Sequence, residues 1–215
     1  LPQPGQPVHL RVVDYSHNKN YRFLIATAQG NIYLTDKHYR PLPAWNPRSL
    51  GQDFASTPLH LRVQGKDYFL MLQTNGALQA LNRKGQNYPG FPVDLKAPVH
   101  NPLLVRKGKT ADDTTLVVLT DTGQHICLNL DGHIQETVQL DLSEGTSNFT
   151  LCPNYVTGHQ YVMMRQDADK VTVMDEARKL LFEVQHQAQH WLLQYYDFGG
   201  NHQFYIMTDI DKQLA

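Results

Sequence analysis

The phrase FLIATAQG, Phe23 to Gly30, returns as FLMLQTNG at Phe69 to Gly76 and as LVVLTDTG at Leu116 to Gly123. Weaker copies read YVMMRQDA at Tyr161 to Ala168 and FYIMTDID at Phe204 to Asp211. Successive starts lie 46, 47, 45 and 43 residues apart. Each copy opens on a short apolar run rich in β-branched and aromatic residues, which at this length reads as a strand. A period in the forties built from short strands marks a repeat architecture.

The chain continues in the same way around each copy. The run ends at Gly30, Gly76 or Gly123, where glycine supplies the positive φ of a tight hairpin turn. A second strand follows at Asn31–Leu34, Ala77–Leu81 and His125–Leu128, with the alternation of one buried face. Six residues past the glycine stands Asp36, Asn82 or Asn129; Asp175 takes that place one residue late in the fourth copy. Such side chains stabilise turns by accepting from nearby backbone N–H groups. A last strand is expected at Gly90–Leu95, Glu136–Leu142 and Leu180–Val184, its prolines suiting an edge. A further strand precedes each phrase: Val8–Val13, Leu59–Val63, Pro102–Arg106, Asn154–Val156 and Trp191–Tyr196. His9 and His60 fall in the like runs VHLRV and LHLRV and are expected at equivalent positions.

Four antiparallel strands at this period make the blade of a β-propeller. The expected fold class is all-β, with about four and a half four-stranded blades. They span approximately 8-56, 57-101, 102-150, 151-190 and 191-215, within one domain that is part of a larger propeller. The fifth blade is expected to lack its third and fourth strands.

From Gly76 to Gly85 the chain reads Gly-Ala-Leu-Gln-Ala-Leu-Asn-Arg-Lys-Gly, and from Tyr88 to Val93 it reads Tyr-Pro-Gly-Phe-Pro-Val. This stretch resembles a blade of the quinoprotein-like (pyrroloquinoline-quinone-type) and WD-repeat-like propeller superfamily. The resemblance implies a fold, not an activity. Trp45 and Trp191 are the only tryptophans, so the docking tryptophans of enzymatic quinoproteins have no counterpart. No Trp-Asp dipeptide closes a third strand either, and neither subfamily is assigned. Propellers of the quinoprotein-like kind are commonly exported, so the resemblance implies a periplasmic or cell-surface location. An opening Leu1-Pro2 without an initiator Met fits a processed chain or an excised domain.

At 215 residues with 41% hydrophobic and 18% charged residues, the composition is that of a globular domain with a sizeable core. A net charge of −1 leaves no basic excess to hold a phosphate backbone, which argues against nucleic acid. Apolar runs are too short for a transmembrane helix or a signal-peptide core. The two cysteines, Cys127 and Cys152, are too few for a disulfide framework and read as buried apolar side chains. One disulfide between them is open in an oxidising compartment.

The candidate chemistry thins out residue by residue. His186 and His190 have helical i, i+4 spacing but lack the adjacent Glu of a zinc protease, and they fall in a connection between blades. His9 and His60 read as structural or channel-lining groups. His125, His133 and His159 lack ligands at metal spacing. Asp167/Asp169 and Asp209/Asp211 alternate as calcium ligands do but lack the further oxygens and the glycine such a loop needs. Asp112 and Asp113 read as a solvated hairpin loop. Ser16, Ser49, Ser56, Ser143 and Ser147 fall in loops, without a nucleophile elbow. Asn148-Phe149-Thr150 is a glycosylation triplet that matters only in a secreted eukaryotic protein. Tyr39, Trp45, Tyr88, Phe91, Tyr195 and Tyr196 read as packing residues, with stacking on a sugar or peptide as the alternative.

No catalytic residue, cofactor ligand or metal ligand is assigned. The expected function is a non-catalytic scaffold that binds a protein or peptide, with dimerisation possible through incomplete blade edges. The alternatives are a quinoprotein-like enzyme or cofactor binder and a carbohydrate-binding module.

Overall fold

The repeat folds as its pattern requires. A computed structural model describes residues 8–15, 18–45, 47–141, 147–156, 160–185, 191–199, 205–210 and 213–214, with side chains omitted at 8, 191–192 and beyond 199. Among the described residues there is no helix. The first blade holds β1 (Val8–Val13), β2 (Arg22–Thr27), β3 (Asn31–Thr35) and β4 (Arg48–Ser49) in that order. The second holds β5 (Leu59–Val63), β6 (Lys66–Leu72), β7 (Ala77–Leu81) and β8 (Val93–Asp94). The third holds β9 (Leu104–Arg106), β10 (Thr115–Leu119), β11 (Gln124–Asn129) and β12 (Ile134–Gln139). The fourth holds β13 (Asn148–Pro153), β14 (Tyr161–Gln166), β15 (Lys170–Asp175) and β16 (Leu180–Gln185). A three-stranded sheet follows, of β17 (Trp191–Tyr196), β18 (Tyr205–Ile210) and β19 (Gln213–Leu214).

The Asx turns share one geometry in four blades. Asp36 Oδ1 accepts from the N–H of His38 and Arg40, and Asn82 Oδ1 from Lys84 and Gln86. Asn129 Oδ1 accepts from Asp131 and His133, and Asp175 Oδ1 from Ala177 and Lys179. Each carboxyl or amide oxygen thus closes its own turn.

Four details differ from the sequence expectation. The fourth blade opens at Asn148–Pro153, a strand that straddles the expected boundary at 150. Asn154–Val156 is the turn after it, with Asn154 Oδ1 accepting from Val156 N. The alternation of buried Phe149 and Leu151 carries this strand signal. The outer strands β4 and β8 are only two residues long, because prolines remove ladder donors around them. The fifth sheet has a short third strand, Asp209 pairing with Leu214 and Ile210 with Gln213.

The fourth difference concerns His9 and His60. His9 pairs with Ala26, whereas His60 pairs with Phe69; the first-blade partner of Phe23, the residue equivalent to Phe69, is Val12. The two strands are therefore offset by three residues, an odd number, which puts the two histidines on opposite faces of their blades. Connection length is the cause: β5 and β6 meet through Gln64-Gly65 alone, whereas Asp14 to Tyr21 separates β1 from β2.

The chain groups into two compact units, residues 1–118 with 126–137, and residues 119–125 with 138–215. In the first unit the second blade is buried on both faces. Phe69, Met71 and Leu81 pack with Leu24, Ala26, Ile32, Leu34 and Trp45 of the first blade. The alternate residues Tyr68, Leu70, Leu72, Leu78 and Ala80 pack with Leu116, Val118, Ile126 and Leu128. This explains the nearly unbroken burial of β6, since a strand covered on both faces loses its polar alternation. In the second unit Val162, Met164, Val171 and Val173 pack with Leu193 and Tyr195.

Candidate functional site: a cationic cleft at one end of the first two blades

In a four-stranded antiparallel meander, the first and third connections lie at the same end. In the first unit that end carries a cluster of charged and aromatic side chains. Its anchor is Asp67, the second residue of β6, only 3% exposed. Period two places Asp67 on the same blade face as Phe69 and Met71, toward the first blade. Three bases converge on its carboxylate: Arg83 Nε at 2.6 Å, His60 Nε2 at 2.8 Å and Arg62 Nη1 at 3.3 Å. Arg62 also donates to the backbone oxygen of Tyr15 at 2.8 Å, and Tyr88 donates its hydroxyl to Asp67 O at 2.9 Å. Trp45, fully buried, donates Nε1–H to Arg83 O at 2.9 Å.

His60 is neutral in this setting. A carboxylate at 2.8 Å would by itself hold the imidazole charged, but burial outweighs it and Arg83 and Arg62 repel a further cation, so its pKa falls below the usual 6.5. Nε2–H then donates to Asp67 as a hydrogen bond between a neutral donor and an anion.

Tyr15, in the β1–β2 connection, packs against Phe69 and His60. The guanidinium carbons of Arg22 and Arg83 each sit 4.3 Å from the centre of its ring. Burial raises the Tyr15 pKa to about 12, against the pull of Arg22 and Arg83, so the phenol keeps its proton. Its buried hydroxyl has no hydrogen-bond partner among the described residues. An orphan of that kind costs about 1–3 kcal/mol.

Between these groups lies a cleft of about 550 Å³. Tyr15, Arg22, Arg83, Lys84 and Gln86 line it together with the turn Leu42-Pro43-Ala44. No carboxylate lines it among the described residues. An adjoining cavity of about 340 Å³ shares Arg83 and Lys84 and adds Lys66. Sequence reasoning missed this site because its parts are scattered over the first two repeats. The adjacent Arg83-Lys84 pair in an Asx turn was the one visible signal.

The residues singled out in the sequence serve mostly in packing and turns. His9 Nδ1 lies 3.2 Å from the Thr57 hydroxyl, and His125 Nε2 lies 2.8 Å from the Tyr161 hydroxyl. His133 closes the Asn129 turn through its N–H. Asp167 is buried, takes a hydrogen bond from Ser147 at 2.7 Å and lies 3.1 Å from Arg165 Nε, while Asp169 is exposed. Asp112 accepts from Asn129 at 2.8 Å. Ser56 accepts from Leu103 N, and Ser49 lies in β4. Cys127 and Cys152 are both buried, and burial raises the Cys152 thiol to about 12. Ser16, Ser143, His159, His186, His190 and Asp211, and the side chain of Asp209, lie outside the described residues.

Of the aromatics, Trp45, Phe91 and Tyr195 are core residues, and Tyr88 stacks on Tyr68. Tyr39 is exposed and stacks on Phe23. Tyr196 stacks on exposed Phe198 with planes 5° apart and lies 5.6 Å from exposed Tyr155. Rings stacked face to face cover one another and do not form a flat row for a sugar.

No family model and no curated protein matches the chain. Solved structures do match. BBS1N, solved in complex with ARL6DN, superposes with a TM-score of 0.58 at 12% identity, over 100% of this chain and 66% of that one. The β-propeller domain of Myceliophteria thermophila Cps50 (Swd1) gives 0.60 at 11% identity, over 97% and 66%. BamB from Moraxella catarrhalis gives 0.53 at 15% identity, over 90% and 52%. The chain thus spans about two thirds of the first two and about half of the third. At these identities the likeness concerns the fold alone, and with the four-stranded sheets it leads to one conclusion: the chain carries the β-propeller fold.

Proposed function

We propose that the chain is a non-catalytic β-propeller module that works by holding a protein partner. The observation that carries this reading is an uncovered apolar face on the first blade. Leu10 is 55% and Val12 53% exposed. Register puts Leu10 beside Ile25 and Tyr33, and Val12 beside Phe23, so these side chains share one sheet face. The equivalent face of the second blade, carrying Phe69 and Met71, is fully buried against the first blade. Phe23, Ile25 and Tyr33 are half-buried beside the exposed Leu10 and Val12, and an apolar face with exposed members marks an interaction surface. Its occupant is a further β-blade that presents alternating aliphatic side chains, as the first blade presents Leu24, Ala26, Ile32 and Leu34 to the second. The solved chains of like fold are longer than this one, and one was solved with a protein bound, which supports a binding role.

The test is panning of displayed small β-sheet domains and random peptides against the chain, alongside sedimentation of the chain alone. Binders or self-association abolished by Leu10→Lys with Val12→Lys support the reading. Binding indifferent to that pair, or no binding above a folded control, overturns it.

A further inference from the structure

We propose that the cleft between the first two blades docks an acidic peptide segment of a protein partner, its carboxylates on Arg22 and Lys84 and an apolar side chain on the Leu42–Ala44 wall. The inference rests on the binding-module reading and names the chemistry of one contact surface.

Charge is the first argument. Arg22, Arg83 and Lys84 line the cleft, and Lys66 stands in the cavity beside it. Asp67, the acid anchored behind Arg83, is buried and already taken by His60, Arg62 and Arg83. Arg22 and Lys84 have no ion-pair partner among the described residues, although the whole chain carries a net charge of −1. A concentrated positive field in a concave site on a near-neutral protein selects an anionic ligand.

The cleft is also built in advance. Asp67 holds the Arg83 guanidinium from behind, and Trp45 holds the Arg83 carbonyl. The facing turn is pinned by Leu42 N donating to Leu34 O at 2.8 Å and Trp45 N donating to Leu42 O at 3.2 Å. A volume of about 550 Å³ suits a few side chains rather than a single ion. The apolar Leu42-Pro43-Ala44 wall has no use for a bare phosphate, and a net charge of −1 leaves no basic excess to hold a nucleic-acid backbone. A peptide that alternates carboxylates with aliphatic side chains satisfies both walls.

The test measures fluorescence anisotropy of labelled Glu-Leu-Glu-Glu-Leu-Glu on the full chain, with Gln-Leu and Lys-Leu peptides of the same pattern and inorganic phosphate as competitors. The Glu peptide is expected to bind, to weaken with added salt, and to lose about tenfold or more in affinity with Arg22→Glu plus Lys84→Glu. The same double variant is expected to gain affinity for the Lys peptide. Equal affinity for the Gln peptide, an unchanged Kd in the double variant, or displacement by phosphate alone at peptide-like concentrations each overturns the proposal. Both side chains lie outside the Asp67 ion cluster; should the pair still fail to fold, Lys84→Gln alone is expected to show a smaller loss in the same direction, and no loss there counts against it. If the acidic peptide fails while binders dependent on Leu10 and Val12 persist, this inference falls and the binding-module reading stands.

Discussion

Gly76→Ala should cost far more stability than Gly65→Ala, although both glycines sit at positive φ, +89° and +76°. Forcing alanine into the left-handed region costs about 1–2 kcal/mol at either site. At Gly65, in the two-residue turn between β5 and β6, an added Cβ meets nothing within 4 Å. At Gly76 it would fall 2.2 Å from the backbone oxygen of Ala97. Backbone cannot rotate away as a side chain can, so the segment after β8 must move. Two hydrogen bonds hold that segment: Leu95 N to Gly76 O at 3.1 Å and Val99 N to Thr74 O at 3.0 Å. Losing both adds about 2 kcal/mol, for a total of about 3–4 kcal/mol at Gly76. Equilibrium urea unfolding, followed by the fluorescence of buried Trp45 in a Trp191→Phe background, reads the difference. Equal losses at the two glycines would refute the close-approach argument and leave only backbone conformation as the reason for glycine in the repeat.

Three further outcomes are expected. Asp67→Asn leaves two guanidiniums without their buried anion and should destabilise the chain by about 3 kcal/mol, the low end for breaking a buried pair because Arg62 and Arg83 reach solvent; a loss under about 1 kcal/mol, near the worth of an exposed pair, would count against the anchor role. The depressed pKa of His60 means that the unfolded chain binds the proton more readily, so its contribution is fully present above pH 6.5 and declines as the pH falls through the lower folded value. Urea midpoints measured from neutral to acidic pH should show that decline, and His60→Gln should flatten it; identical profiles would exclude His60 as the source. Cys127 and Cys152, both buried, should react with Ellman's reagent only when the chain unfolds, and labelling of native Cys152 at the rate of a free thiol would contradict its burial.

The legible part of the fold was the part written within a few residues. Gly76, Asn82 and the run Ala77–Leu81 act on their own turn and strand, so their spacing exposed the blade directly. The first strand of the fourth blade was missed because Asn148–Pro153 looks polar at its start, while its Phe149 and Leu151 reveal themselves as buried only against Arg165 and Met163 of the paired strand. The site was less legible still. Tyr15 and Arg83 stand in different repeats, and neither belongs to the recurring phrase.

By itself, then, the sequence determined that this protein is built of four-stranded β blades, because turn chemistry and the two-residue period of a strand are local properties. The tertiary structure decided which face each blade residue shows and which charges meet. His9 and His60 illustrate why: their surroundings in sequence match, yet a long connection in one blade and a two-residue turn in the other set registers three residues apart and send them to opposite faces. The cationic cleft has the same origin. It exists only where one blade packs on the next, and the energy that places Arg83 over Tyr15 and behind it Asp67 comes from contacts between repeats, which no single repeat encodes.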